Sequence, residues 1–278
     1  MSETTVTRPV GLDELRRAWH ALQDGQFRSR PQRSAQALPR PGAGTMARWS
    51  PTEPVLPVIG CVGQAGATTL AVALATAAGS ARVLECCTAT ASGLTAAPTA
   101  ELGRSDHGWV LGRRERVWVA RTSGVLLGPA DVPAPDRLPT DVDLTVLDVG
   151  WDLGQVMASD GWIRDQLAMA PTVIAVTTAT IPGLRRLESA LELLAPALVV
   201  VAVAGSNPRR WPRALTASLG PLTAAATMQR PVVVLAADKT LALRGLDSNP
   251  LPSSLLKAAE TLLQHAAAGD HHPKGPHE

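Results

Sequence analysis

The chain has 278 residues, with 26 Lys and Arg against 24 Asp and Glu, a formal charge of +2. That balance singles out neither nucleic acid nor an acidic surface as a partner for the whole chain. Apolar residues make up 45% of it, yet there is one Phe, no Tyr and seven Trp, so the core must be aliphatic with Trp as its bulky filler. The length suits one α/β domain of ordinary size plus extra segments. The three cysteines, Cys61, Cys86 and Cys87, include an adjacent pair and form neither a disulfide framework nor a zinc pattern. The start, MSETTVTRPVGLDELRR, lacks the apolar stretch of a secretory signal. The longest apolar run, Ala195 to Gly205, is about half a membrane span. A cytoplasmic chain without a transmembrane segment is expected.

Taken in order, residues 1–54 read as a flexible, disordered N-terminal extension. Within it, 11–26 carries Leu12, Leu15, Trp19 and Leu22 at helical spacing, which predicts a short amphipathic helix. It either packs on its own domain or docks on a partner or membrane surface. Phe27 to Pro54 is rich in Arg, Pro, Gln, Ser and Gly and reads as a tether. Residues 55–267 form the folded part, and 268–278, ending HHPKGPHE, a loose, disordered tail.

In the folded part, Leu56 to Leu70 (LPVIGCVGQAGATTL) starts as a β-branched strand. It turns through Gly63, Gln64, Ala65 and Gly66, then enters an Ala- and Leu-rich helix reaching Ala78. Strand, small-residue loop, helix is the layout of a phosphate-binding loop: glycines let backbone N–H groups approach a phosphate, and the helix start adds positive potential. Further strands are expected at 81–87, 117–120, 143–148, 172–176, 198–204 and 231–235. Helices are expected at 161–169, 182–194, 209–219 and 252–267. Arg113-Arg114-Glu115-Arg116 reads as a basic turn and 129–139 as a proline-rich loop. The strand 198–204 has no polar residue, which suggests a central place. Alternating strands and helices predict a three-layer, doubly wound, mostly parallel sheet. Ligands of such sheets sit beyond the strand C-termini, and the Gly63–Thr69 loop, Glu85, Asp148 and the segment after Ala204 all fall at or near those ends. Asp148 closes VDLTVLD and is followed by Val149-Gly150, the arrangement of a Walker B carboxylate that holds Mg²⁺; the plainer reading is a strand-end Asp capping a turn.

The order VGQAGATT, RVLECC, DLTVLDVGWD, APTVIAVTTATIPGLRRLESALELL, VVVAVAGSNPRR and PVVVLAADKT resembles the ParA/MinD-type partition and positioning ATPases, P-loop proteins with a deviant Walker A loop. The resemblance implies a P-loop NTPase fold over about residues 55 to 266. It implies ATP or ADP held through Gly63, Gln64, Ala65, Gly66, Ala67, Thr68 and Thr69, with Asn207 at the base and Mg²⁺ on Thr68 and Asp148. The departures are as informative. The family's loop reads K-G-G-x-G-K-T-T; Val62 stands where its signature Lys would be, Ala67 where its P-loop Lys would be, and Cys61 at the first Gly of the general P-loop pattern. The family's D-x-D at the end of the second strand falls on Glu85 and Cys87. With those charges replaced, the expectation is weak nucleotide binding and no catalytic residue. Function is then scaffolding or binding in DNA partition, conjugative-element maintenance or cellular positioning, with a homodimer or another protein as partner. Arg209, Arg210 and Arg213 form a basic cluster suited to non-specific DNA contact, or else a solvated helix face. The alternative is an active ATPase switch in which Arg113, Arg114, Arg116 or a residue of a second subunit replaces the lysines. A small-molecule ligase of the same superfamily is a third reading, for which the sequence supplies no acid or base.

Overall fold

The computed structural model describes residues 48–138 and 140–268. The expected helix over 11–26, most of the tether and the HHPKGPHE tail lie outside the described residues. Nine strands, β1 (Val55–Gly60), β2 (Ala81–Cys86), β3 (Ala100–Arg104), β4 (Trp109–Arg114), β5 (Val117–Thr122), β6 (Leu144–Val149), β7 (Thr172–Thr178), β8 (Leu198–Ala204) and β9 (Val233–Leu235), form one sheet in the order β3-β4-β5-β2-β6-β1-β7-β8-β9. From β5 to β9 every pairing is parallel; β3 and β4 are antiparallel additions at one edge. The helices are α1 (Ala67–Ala78), α2 (Leu153–Ala158), α3 (Trp162–Met169), α4 (Ile181–Leu194), α5 (Arg213–Thr216), α6 (Pro221–Gln229), α7 (Lys239–Arg244) and α8 (Ser253–Ala267). None among the described residues is long and apolar enough to cross a membrane.

Two cores flank the sheet, giving three layers. On one face Val58, Val83, Val146, Ile174 and Val200 meet α1 and α8. On the other, Ile59, Leu84, Leu147, Val173 and Val201 meet Trp162, Leu167, Leu184 and Leu187 of α3 and α4. In α1 the run Leu70 to Ala75 is buried on every side, because the helix lies between the sheet and α8; its alanines let the neighbours come close. In α8, Leu255, Ala259 and Leu262 are buried and Leu256 and Leu263 partly so.

Several expectations need correcting. Arg113 and Arg114 are not in a turn but in β4; only Glu115 and Arg116 make the reversal, with Glu115 at φ 53°. β3 and β4 were not expected because β3 (AELGR) is exposed along its whole length and so shows no alternation. The helix expected over 209–219 is broken: a 3₁₀ turn at Pro208–Arg210, then the single turn α5. Pro212 precedes α5 and cannot continue the first turn. β8 is not central but second from the edge; it is apolar because both of its faces are covered, whatever its rank in the sheet.

On the strand pair β2–β6, at its N-terminal end, Arg82 is 4% exposed. Its Nη2 donates to Glu53 Oε1 at 2.5 Å, its Nη1 to the Asp136 carbonyl at 2.9 Å and its Nε to Thr145 Oγ1 at 3.2 Å. This anchors the chain entering β1 to the rest of the sheet. Replacing Leu70, fully buried in α1, with Ala is expected to lower the unfolding free energy by about 2–5 kcal/mol, read from denaturant midpoints.

Candidate nucleotide-binding site

The loop between β1 and α1 is held at its root by Cys61, whose N–H donates to the Val176 carbonyl at 2.8 Å, and within itself by Ala65 N–H to the Val62 carbonyl at 3.3 Å. Gly66, at φ 90°, turns the chain into α1; a residue with a side chain is strained in that region. The first helical bond runs from Leu70 N–H to the Gly66 carbonyl at 2.9 Å, and no side chain caps the start. The amides of Ala67, Thr68 and Thr69 therefore precede the first intrahelical bond and face the loop, where the helix end carries partial positive charge. Gly63 and Gln64 are exposed and Ala65 is buried.

Asp148 lies in β6 between β1 and β2, level with Val58 on one side and Glu85 on the other. Because partners in parallel register point to the same face, both carboxyl groups turn toward α1. Asp148 is 1% exposed, and neither of its oxygens makes a hydrogen bond of ordinary geometry. Burial pushes its pKa up to about 7 and the neighbouring Glu85 pushes the same way, against a smaller lowering by the nearby Thr68 hydroxyl. Glu85, equally buried, is fully engaged. Its Oε2 accepts from Ser92 Oγ at 2.6 Å, and its Oε1 from the N–H groups of Gly93 at 2.7 Å and Leu94 at 3.1 Å. Burial raises its pKa too, and those hydrogen bonds and Arg121 only partly offset this.

The loop residues Gly63 to Thr69, Asp148 and Glu85 thus share one sheet edge, as expected. Cys87 and Gly150 also meet there: a Cβ on Gly150 would lie 2.6 Å from Cys87 Cβ, so that glycine answers a packing need. Cys61 and Cys87 follow β1 and β2, which β6 separates, so they do not face each other across adjacent strands. Burial pushes the Cys61 thiol up to about 12 and raises Cys86 and Cys87 as well, which leaves all three neutral and unreactive. Asn207 follows the C-terminal end of β8, which runs parallel to β1 through β7, on the sheet edge that also carries the loop. Its Oδ1 accepts from Arg209 N–H at 2.9 Å, which makes it the cap of the 3₁₀ turn, and it lines a separate cavity of about 550 Å³ with Trp211, Leu219 and Val232.

Arg113, Arg114 and Arg116 stand at the wrong end of the sheet. β4 finishes and β5 begins at Arg114 and Val117, which pair with each other and with Ala81 at the start of β2, opposite to the loop. Arg114 donates to the carbonyls of Ala97, Asp247 and Asn249, and Arg113 lies over Trp118. None of the three can reach the place of a missing lysine within one chain. Two groups at this edge escaped the sequence reading. Arg121 is level with Glu85 and pairs with Glu101 at 2.8 Å. The Ser92-Gly93 dipeptide is a turn signal whose tie to Glu85 appears only in three dimensions.

No protein-family model matches the chain and no curated protein matches it by sequence. Solved structures do. The apo McdA of Cyanthece is similar at a TM-score of 0.50 and 11% identity, over 77% of this chain and 99% of that one. The cell division ATPase MinD of Pyrococcus furiosus gives 0.48 and 17%, over 76% and 99%. A ParA family ATPase from Chlorobium tepidum gives 0.44 and 12%, over 76% and 91%. The likeness to McdA is one of fold: a three-layer, mostly parallel sheet of the P-loop NTPase kind.

Asp148 has an ordinary pKa of 3.8, raised to about 7 in the fold. The folded state therefore holds a proton that the unfolded state has released. Its contribution to stability is complete below about pH 4 and lost as pH rises through about 7. Wild-type stability is expected to fall across that window, while Asp148→Asn removes most of the slope and is the more stable protein at pH 8; denaturant midpoints from pH 4 to 8 measure this.

Proposed function

We propose that this chain is a non-hydrolysing P-loop protein that acts by binding or scaffolding, in DNA partition, conjugative-element maintenance or cellular positioning. One observation carries the reading. At the loop edge the positions aligned with the family's lysines and second strand-end acid are neutral, and the acid on β2 is already engaged. Val62, Ala67 and Cys87 bring no charge, and both oxygens of Glu85 are taken by Ser92, Gly93 and Leu94. Phosphoryl transfer depends on electrostatic positioning, and removing one group that stabilises the transition state costs about 10²–10³ in rate.

The same edge suits weak binding of ATP or ADP with Mg²⁺. The uncapped amides of Ala67, Thr68 and Thr69 suit phosphate oxygens. The two unpartnered, buried oxygens of Asp148 beside the Thr68 hydroxyl suit a divalent cation. When bound, the cation would supply the phosphate neutralisation that the loop lacks. Asp148 would hold it, directly or through water, and Thr68 would offer its hydroxyl. Asn207 fits a base-recognition role less well, since its side-chain oxygen is occupied.

A homodimer or a protein partner is part of this proposal. Arg209, Arg210 and Arg213 are exposed and have no acidic residue between them, which suits non-specific contact with DNA phosphates. Replacing all three with Ala is expected to weaken duplex DNA binding at low salt and flatten its salt dependence, measured by fluorescence anisotropy across salt concentrations.

Titration with a fluorescent ADP is expected to show weak, Mg²⁺-dependent binding that Asp148→Ala abolishes, with no ATP turnover by the purified protein. Turnover abolished by Asp148→Ala, together with nucleotide-dependent dimerisation, would overturn the reading in favour of a switch completed by a second subunit's cation.

A further inference from the structure

Glu85 sends both carboxylate oxygens to a single surface loop. Of the residues in that loop, 89–91 and Gly93 are exposed, Thr88 and Ser92 half-buried, and Leu94 fully buried. Leu94 is thus the fixed end, sunk in the core beside α1, and Thr88 to Gly93 is the part free to lift. What the loop rests on is Thr68: a Cβ on Gly93 would lie 3.0 Å from Thr68 Cγ2 and 3.4 Å from Thr68 Cβ. A side chain at position 93 would press on the Thr68 methyl group, and the loop or Thr68 would have to give by a few tenths of an ångström. The amides of Gly93 and Leu94 donate to Glu85, whereas those of Ala91 and Ala97 donate to carbonyls inside the segment, Thr88 and Leu94.

We propose that Glu85 is a latch that clamps the Thr88–Gly93 loop onto Thr68 and so closes the metal side of the phosphate loop. It is a positioning residue: it sets access to Thr68 and Asp148 and takes no part in chemistry. The proposal rests on the nucleotide reading of this edge for its consequence, since opening the latch is what would admit a metal–nucleotide to Thr68. Its geometry stands apart from that reading.

Hydrogen exchange of the full chain without nucleotide tests the latch. In Glu85→Ala the amides of Gly93 and Leu94 are expected to exchange about tenfold faster or more, and those of Thr68 and Thr69 also faster, while β1 and β6 stay unchanged. Glu85→Gln keeps a carbonyl oxygen for the two amides and is expected to stay close to wild type. Gly93→Ala leaves Glu85 intact but pushes the loop off Thr68, and should open the same amides; adding Thr68→Ser, which removes the opposing methyl group, should restore protection. Unchanged exchange at Gly93 and Leu94 in Glu85→Ala would overturn the proposal. So would an increase spread evenly through β1 and β6, or a Gly93→Ala effect that Thr68→Ser does not relieve. Fluorescent ADP with Mg²⁺ is then added to the same variants. Faster association in Glu85→Ala supports the latch. A protein that binds no ADP in any variant overturns the nucleotide reading, and the exchange result still decides the latch.

Discussion

Two carboxyl groups, Glu85 and Asp148, sit side by side on adjacent parallel strands and are each 1% exposed. Like charges in a dry place are costly, and the fold handles the two in different ways. Glu85 remains tolerable by accepting three hydrogen bonds from the loop that follows its own strand. Asp148 has no such partner, and its raised pKa means that near neutral pH it carries a proton much of the time. The organisation of the loop edge follows from this pair: the path of residues 88–94, their seating on Thr68, and the two Asp148 oxygens left without an ordinary hydrogen bond.

The same strand pair shows the opposite solution three residues earlier. Arg82 is level with Thr145 just as Glu85 is level with Asp148. There the buried charge is matched: the guanidinium meets Glu53, Thr145 and a carbonyl, and Thr145 also donates to Glu53 at 2.5 Å. Burial lowers the Arg82 pKa and Glu53 raises it in return. A buried pair of this kind adds little net stability compared with apolar packing, but breaking it would be expensive, so it fixes how the chain enters β1. At the Arg82 end the buried charge has a carboxylate partner, whereas at the loop end two carboxyl groups lie side by side and Asp148 lacks an ordinary hydrogen bond.

The connection from β2 to β5 is also unusual for a wound sheet. Parallel neighbours are commonly joined by a helix, but here the chain runs over the α1 face through Leu94 and Ala97, then adds the antiparallel strands β3 and β4. Arg113 and Arg114 of this excursion stand at the far edge, where Arg114 donates to the carbonyls of Asp247 and Asn249 and ties the hairpin to the approach of α8. The cations that looked available to a charge-poor loop are structural instead.

Much of this protein was legible in its residues. Apolar β-branched runs gave β1, β2, β6, β7 and β8 their positions, because a strand covered on both faces admits almost nothing polar. Gly66 before an Ala- and Leu-rich stretch gave the turn into α1, because only a permissive backbone makes that reversal. The strand-end acids fell on the edge that carries the loop, because parallel strands wound with helices bring their C-termini to one side. Other features were decided only in three dimensions. β3 has no side-chain pattern since neither of its faces is buried, and the turns around Pro212 look helical until the proline is weighed. Which strand lies beside which cannot be read from local spacing, so neither the level placement of Glu85 with Asp148 nor the separation of Cys61 from Cys87 by β6 was visible. What Glu85 touches depends on a loop whose path is fixed by Leu94 reaching the core, and such a contact exists only once the sheet has assembled.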